Sequence, residues 1–265
     1  MNHNVESNGS LPTGIGNSDD LFNRGVEHGM DLVFEPIKHT YKINGILVPG
    51  CTTITGMMPK PFLVQWAANK AVDHIQKHVY DDKWPAGVSD WDVILKEARK
   101  AWVTERDKAS DYGTQAHSLC EQHIKGEKID LTDKPKEVVN SYGLFMDWIG
   151  KHKVEWLHSE IVVGSEFWMC AGKFDAVAKV NGIVTLIDFK TSKGVYDEYH
   201  YQTAGYQLCY EEMKLKPKIE QRMILWIPKT GNKFKDVVAP KSFREDLTVF
   251  LALNRLYKAL HGGTR

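Results

Sequence analysis

The chain has few cysteines and no long apolar run. Its four cysteines are scattered and form no CxxC pair, which argues against a zinc ribbon and gives no support to a secreted disulfide framework. We expect four reduced thiols, with an iron–sulfur cluster as the alternative. No basic-then-apolar signal opens the chain, and no apolar segment approaches transmembrane length. These absences predict a soluble, cytoplasmic protein. The cysteines are Cys51, Cys120, Cys170 and Cys209.

The sequence also lacks an excess of charge of either sign, since 34 Lys and Arg residues balance 34 Asp and Glu residues. Residues 1–35 carry six acids and one arginine, a net charge of −5 that leaves +5 for residues 36–265. A mildly basic body permits nucleic-acid binding through a local groove. Residues 1–30 are rich in Asn, Ser, Gly and Asp and predict a flexible acidic tail. We expect residues 31–265 to form a single domain.

Short predicted strands and helices alternate along that domain. Asn44-Gly45 between two β-prone runs predicts a hairpin with a type I′ turn. The mixture predicts an α/β fold in which helices flank a central mixed sheet, with an N-terminal hairpin and added helices over 31–152 and the core over 153–265. Helices are predicted over about 62–79, 90–110, 113–125, 136–152, 199–210 and 243–260, and strands over 156–163, 168–180, 183–189 and 219–227.

Two aspartates on neighbouring strands form the most informative feature. The tight turn Asn181-Gly182 joins the strands of Asp175 and Asp188, and counting outward from the turn places both at the same end. Paired carboxylates suit Mg²⁺ or Mn²⁺. Lys190 lies two residues after Asp188 and shares its strand face. A lysine beside a metal can orient water or stabilise charge on a phosphate.

A D-x-K tripeptide alone more often marks a solvated strand face than an active site. The apolar run IVTLI before Asp188 favours function, because a buried strand makes a terminal Asp and Lys costly without a purpose. Glu160 is a candidate additional carboxylate, although a solvated strand position explains it equally well.

Four motifs in order resemble the RecB-type nucleases of the PD-(D/E)XK superfamily, which has a restriction-endonuclease-like core. The group includes nuclease domains of bacterial recombination enzymes, CRISPR-associated exonucleases, mitochondrial genome-maintenance exonucleases and phage proteins. The match spans about a third of the chain, and HTYKINGILVPGCTTITG with KPFLVQWA is similar to phage-encoded members. The motifs are G-x-x-x-H at 113–117, G-x-x-D at 172–175, D-x-K at 188–190 and Q-x-x-x-Y at 202–206.

The resemblance implies roles for these residues. Asp175, Asp188, the main-chain carbonyl of Phe189 and the imidazole of His117 would bind Mg²⁺ or Mn²⁺. Lys190 would be the catalytic lysine, acting with the two aspartates. For His117 the simpler alternative is a helical histidine that is only packed against the core or exposed on the surface.

The resemblance also implies contacts around the site. Gln202 and Tyr206, four residues apart on one helix face, would buttress the site and contact the DNA strand, although helix packing alone is the alternative. Lys193 and Tyr199 are candidate nucleic-acid contacts, the lysine to phosphate and the tyrosine by stacking on a base. Capping of the hydrophobic core is an equal alternative for Tyr199.

The function implied is a metal-dependent DNA exonuclease on single-stranded or end-bearing DNA, in recombination, repair or phage DNA processing. DNA is the expected partner, a recombination or replication protein is a candidate partner, and a bacterial or phage-infected cytoplasm is the expected location. A structure-specific endonuclease with the same site and a non-catalytic DNA-binding protein on a nuclease fold are the alternatives. The intact pair of aspartates and Lys190 argue against the non-catalytic alternative.

Overall fold

The computed structural model describes residues 29–80 and 88–262, so nearly all of the predicted acidic tail lies outside the described residues. The described chain begins with a three-stranded antiparallel sheet. Asn44 and Gly45 have φ values of 51° and 77°, the left-handed conformation that a type I′ turn requires at both positions. The predicted hairpin is therefore confirmed. The strands are β1 (Leu32–Glu35), β2 (Thr40–Ile43) and β3 (Ile46–Val48).

A series of helices follows, and two of them differ from the sequence-based prediction. The helix predicted over 90–110 is interrupted at Arg99-Lys100, and its second half continues through Gly113 as one long helix. A glycine inside a helix costs only about 1 kcal/mol relative to alanine, so packing elsewhere on the helix can offset it. The helices are α1 (Cys51–Thr55), α2 (Pro61–Tyr80), α3 (Val88–Ala98), α4 (Ala101–Ile124) and α5 (Lys136–Lys151).

The centre of the fold is a five-stranded mixed sheet whose strands lie in chain order. Neighbouring strands are antiparallel except the third and fourth, which are parallel and are connected by a crossover helix. The predicted mixed α/β fold is confirmed. The remaining elements are β4 (Val154–Ser165), β5 (Cys170–Val180), β6 (Ile183–Lys190), α6 (Asp197–Glu212), β7 (Gln221–Trp226), β8 (Lys235–Val238) and α7 (Phe243–His261).

The central sheet is buried on both faces. Apolar side chains of α4 and α5, including Phe145 and Trp148, pack with Ile187 and Phe189 of β6 on one face. The N-terminal sheet, α1, α6 and α7 cover the other face, where Leu186 is fully buried. Successive residues of a strand point to opposite faces, so the segment before Asp188 is apolar on both sides. This double burial explains the continuous apolar run in β6.

The apolar spacing of the last helix predicts one packed face, of which Val249 and Leu253 do pack against the core, whereas the two later residues do not. Leu256 and Leu260 are 48% and 67% exposed, whereas Asp246, Phe250 and Asn254 are buried. The guanidinium of Arg222 on β7 donates to Asp246 across 2.9 Å, and both side chains are almost fully buried. This ion pair with the sheet therefore fixes the orientation of α7. Helical periodicity in the sequence does not reveal such a contact.

All four cysteines are buried and free, as expected from their scattered positions. The sulfur atoms of Cys170 and Cys209 lie 4.0 Å apart in the core beneath α6. None of the helices within residues 29–80 and 88–262 combines the length and apolarity that a membrane crossing requires.

Candidate active site

Asp175 and Asp188 lie where two central strands separate. The pairing of β5 with β6 runs from Val180 opposite Ile183 to Ala176 opposite Ile187. Asp175 and Asp188 are the next residues of the two strands, just beyond the last pair. The structure thus brings both carboxylates to the same end of the hairpin, as the sequence predicts. Both are largely buried, with side chains 12% and 5% exposed.

His117 reaches this point from α4. Its Nδ1 lies 2.9 Å from Asp175 Oδ1, and its ring packs edge-on against Phe189. Gly113, one turn earlier, lies so close to the segment after β6 that an added Cβ would be 3.1 Å from Thr191 Oγ1. The glycine of G-x-x-x-H therefore permits the close approach of helix and strand that brings the imidazole to Asp175.

Lys190 lies beside Asp188 at the end of β6. Its Nζ is 2.6 Å from Asp188 Oδ2, and it also donates to Gln202 Oε1 across 3.5 Å. The ammonium lies over the ring of Tyr199, 4.8 Å from the ring centre. Three side chains from two elements therefore hold Lys190 in one position, since Gln202 and Tyr199 come from α6 and Asp188 comes from its own strand.

Gln202 and Tyr206 are buried behind this lysine. The amide of Gln202 donates to the hydroxyl of Tyr206 and to Thr52 Oγ1, the latter across 3.0 Å. Tyr206 is 2% exposed, and its ring fills the space left by the missing side chain of Gly172. The buttressing role that the resemblance implies fits this geometry. Direct contact of Tyr206 with DNA does not, because its hydroxyl and ring are enclosed by protein.

Thr52 was not identified from the sequence. It lies in α1, 150 residues from Gln202, yet it accepts a hydrogen bond from the glutamine amide and lies 3.3 Å from the Tyr206 hydroxyl. The similarity of the GCTTITG segment to phage-encoded nucleases is the one sequence feature that points to it. Thr52 links the N-terminal region to the helix that positions Lys190.

The buried charges shift one another's pKa values. Burial and the neighbouring Asp175 raise the pKa of Asp188, and Lys190 offsets this only in part. Burial also acts to raise the pKa of Asp175, but His117, the amide of Phe189 and Lys190 lower it overall. Burial acts to lower the pKa of Lys190, yet Asp188 and Asp175 raise it above its usual value. The lysine is therefore charged at neutral pH.

The donor set fits a hard divalent cation in its chemistry. Asp188 Oδ2 is enclosed and, apart from its ion pair with Lys190, accepts no hydrogen bond from the described residues. The Phe189 amide donates to Asp175 Oδ2 across 2.6 Å, whereas the Lys190 carbonyl faces β7. Because N–H and C=O of one strand residue share an edge, the carbonyl of Phe189 faces the carboxylates.

The side chains are not yet arranged as a closed metal cage. In the part of the chain that the structure describes, donor atoms of His117, Asp175 and Asp188 do not all lie within 4.8 Å of one another. Asp175 is instead hydrogen-bonded to His117, and Asp188 is paired with Lys190. A cation held by these side chains would compete with both contacts.

Glu160 lies near the site but has another partner. Its carboxylate forms an ion pair with Lys173, and its backbone has a φ of 55°, the left-handed conformation that is rare for a glutamate. Burial, and secondarily the charge of Asp175, raises the pKa of Glu160. The structure thus places Glu160 within electrostatic range of the site without bringing it to Asp188.

A groove of about 860 Å³ begins at the end of β6, directly after Lys190. It contains two of the four predicted nucleic-acid contacts, Lys193, which is exposed, and Tyr199, which is half-buried. The sequence did not reveal its other wall, which α2 provides with Phe62, Leu63 and Trp66. The Phe62 ring stacks on Tyr196 with centres 5.8 Å apart. The basic residues lining the groove are Lys60, Arg106, Lys193 and Lys229.

No family model matches the chain, and no curated protein matches it. Among solved structures, the chain is similar to the crystal structure of a proposed exonuclease from Eubacterium rectale. The two are 12% identical, the match covers 58% of this chain and 69% of that chain, and the TM-score is 0.39. A similarity of this size has no weight in assigning a function to this chain.

Proposed function

We propose that the chain is a metal-dependent deoxyribonuclease, acting as an exonuclease on single-stranded or end-bearing DNA in recombination, repair or phage DNA processing. The observation that carries the proposal is the meeting of Asp175, Asp188, His117 and Lys190 at the end of the central hairpin. The exposed fraction of these side chains lies between 5% for Asp188 and 30% for His117. Holding several ionisable groups together at such partly buried positions is costly unless the site does chemistry.

Asp175, Asp188, the carbonyl of Phe189 and His117 would hold Mg²⁺ or Mn²⁺. Carboxylate and carbonyl oxygens suit both ions, and the imidazole favours Mn²⁺. When bound, such an ion lowers the pKa of a water molecule and neutralises charge on phosphate oxygens. Burial and Asp175 raise the pKa of Asp188, which disfavours its charged form, and a bound cation would offset that cost.

Lys190 would act on the scissile phosphate. Its ammonium is charged and is held by Asp188, Gln202 and the ring of Tyr199. A positioned cation of this kind orients the attacking water or stabilises the oxyanion that develops on the phosphate. The hydrogen bond to Gln202 would help to keep the ammonium in place independently of Asp188. Hydrolysis would leave a 5′-phosphate on the product.

The groove beside Lys190 favours an unpaired strand as substrate. Its walls present aromatic rings, including Phe62 and Trp66, beside cationic side chains such as Lys193. Unpaired bases stack on such rings for about 1–3 kcal/mol each, and the cations contact phosphates. A duplex exposes its phosphates but keeps its bases stacked, so the rings would gain little from it.

The test uses end-labelled linear single strands, linear duplexes and covalently closed circles with Mg²⁺ or Mn²⁺. We expect linear strands to be degraded from an end, with circles intact and all degradation blocked by EDTA. Cleavage of circles would favour the endonuclease. Binding without any metal-dependent cleavage would leave the non-catalytic DNA-binding protein as the better account.

A further inference from the structure

A second group of metal-binding side chains lies away from the candidate active site, between α2 and α3. His74 and His78 are four residues apart on α2, so both project from the same helix face. Their ring centres are 4.6 Å apart. Glu97 reaches them from α3, and one donor atom from each residue lies within 4.8 Å of the other two. Among the described residues, this trio alone satisfies that condition.

The hydrogen bonding of His78 leaves its Nε2 available to bind a metal ion. Its Nδ1 lies 2.9 Å from the carbonyl oxygen of His74, which can only accept a hydrogen bond. Nδ1 must therefore carry the proton, and Nε2 of the neutral ring keeps its lone pair. A backbone carbonyl that fixes the tautomer in this way is the usual second contact of a metal-binding histidine.

The distance between His74 and Glu97 fits a shared ion better than a hydrogen bond. His74 Nε2 lies 3.4 Å from Glu97 Oε2, outside the usual range of about 2.7–3.2 Å for N–H···O bonds. His74 Nε2 is enclosed and has no hydrogen-bond partner among the described residues. Two ligands about 2.05 Å from one tetrahedral ion are separated by about 3.3 Å, which is close to the separation observed.

We propose that His74, His78 and Glu97 bind one borderline divalent cation of the Zn²⁺ class, which cross-links α2 to α3. Two imidazoles and one carboxylate suit such ions better than Mg²⁺, and a fourth position stays open to water or an anion. The surrounding groove of about 570 Å³ is lined by four lysines and by Asp73 and Glu105, which pair with Lys70 and Lys108.

The position of the site gives the ion a structural role. None of the residues of α2 is buried, so this helix has little apolar packing to hold it. The same helix carries Phe62 and Trp66 in the groove beside Lys190. An ion that ties α2 to α3 would therefore stiffen one wall of that groove. The inference does not depend on the proposed nuclease activity, because none of its three ligands belongs to the candidate active site.

The test uses the full chain with Asp188→Asn, which removes a ligand of the candidate active site, after treatment with a chelator. The protein is titrated with Co²⁺, a coloured substitute for Zn²⁺, and then with Zn²⁺. We expect one equivalent of Co²⁺ with the visible absorption of a tetrahedral ion, displaced by one equivalent of Zn²⁺. Zn²⁺ at about 100 times its Kd should raise Tm by about 5–10 °C.

His78→Ala and Glu97→Gln should each weaken binding at least tenfold and remove the absorption. Glu97 is 56% exposed, so its substitution tests the site without endangering the fold. His261→Ala is the matched control, because His261 is an exposed helical histidine with the same Nδ1 contact, 3.0 Å from the carbonyl of Tyr257. Absence of binding, or binding that survives both ligand substitutions, would overturn the inference whether or not the chain cleaves DNA.

Discussion

Gly172 and Tyr206 belong to two different motifs, and the structure shows that they are packing partners. A Cβ added at Gly172 would lie 2.7 Å from Cδ1 of the Tyr206 ring and closer still to Cε1. Cys51 blocks the other side, with its sulfur 3.2 Å from the added atom. Because Tyr206 is 2% exposed, its ring is enclosed by protein and cannot move out into solvent.

We predict that Gly172→Ala destabilises the fold by about 1–3 kcal/mol, the usual cost of overpacking a core. That loss corresponds to a fall in Tm of about 2–4 °C per kcal/mol for a chain of this size. Urea denaturation followed by tryptophan fluorescence measures it. Gly143→Ala is the control, because an added Cβ there meets nothing within 4 Å and alanine is the better helix former.

A double-mutant cycle identifies the clash as the cause. Tyr206→Leu removes the ring atoms that collide, so Gly172→Ala should cost at least about 1 kcal/mol less in that background. Tyr206→Phe keeps the ring and should give no relief, since the hydroxyl is not the colliding group. A Gly172→Ala variant as stable as the wild type would refute this reasoning, as would strictly additive effects with Tyr206→Leu.

Three further predictions concern other parts of the molecule. Asp246→Ala leaves the buried Arg222 without its carboxylate and should cost about 3–5 kcal/mol in urea denaturation; a loss under 1 kcal/mol would contradict the buried pair. Burial lowers the pKa of His200, so the unfolded state binds more protons and stability should fall as pH drops through about 6.5. His200→Gln should flatten the dependence between pH 7 and 5, and an unchanged slope would count against it. Trp66→Ala should weaken binding of a single-stranded oligonucleotide in EDTA by about 1–3 kcal/mol, with little effect on binding of a duplex. Equal losses on both substrates would contradict stacking. Lys193→Ala should reduce the slope of log binding constant against log salt concentration by about 0.7 for the single strand.

The paired aspartates could be predicted because their geometry is local. Asn181-Gly182 fixes a tight hairpin, and the alternation of strand side chains then fixes which residues meet at its open end. Asp175 and Asp188 lie only 13 residues apart, so no long-range information is needed. The same locality explains why Asn44-Gly45 correctly predicted the N-terminal hairpin.

The features that the sequence did not reveal depend on contacts between distant segments. Thr52 meets Gln202 across 150 residues, and Trp66 faces Lys193 across the groove. Neither contact leaves a periodic signal. In α7, apolar residues occur on more than one face, and the buried pairing of Asp246 with Arg222 selects the face that packs. Helical periodicity could not choose between these faces.

We propose that Lys190 and a bound metal ion act together on a phosphodiester bond. The most direct measurement is the single-turnover cleavage rate of an end-labelled single strand at saturating Mn²⁺, for the wild type and for Lys190→Met. We predict a fall of at least about 100-fold in the variant, because one preorganised charge contributes about 10²–10³ to such rates, with oligonucleotide binding retained. An unchanged rate in the Lys190→Met variant would contradict the account.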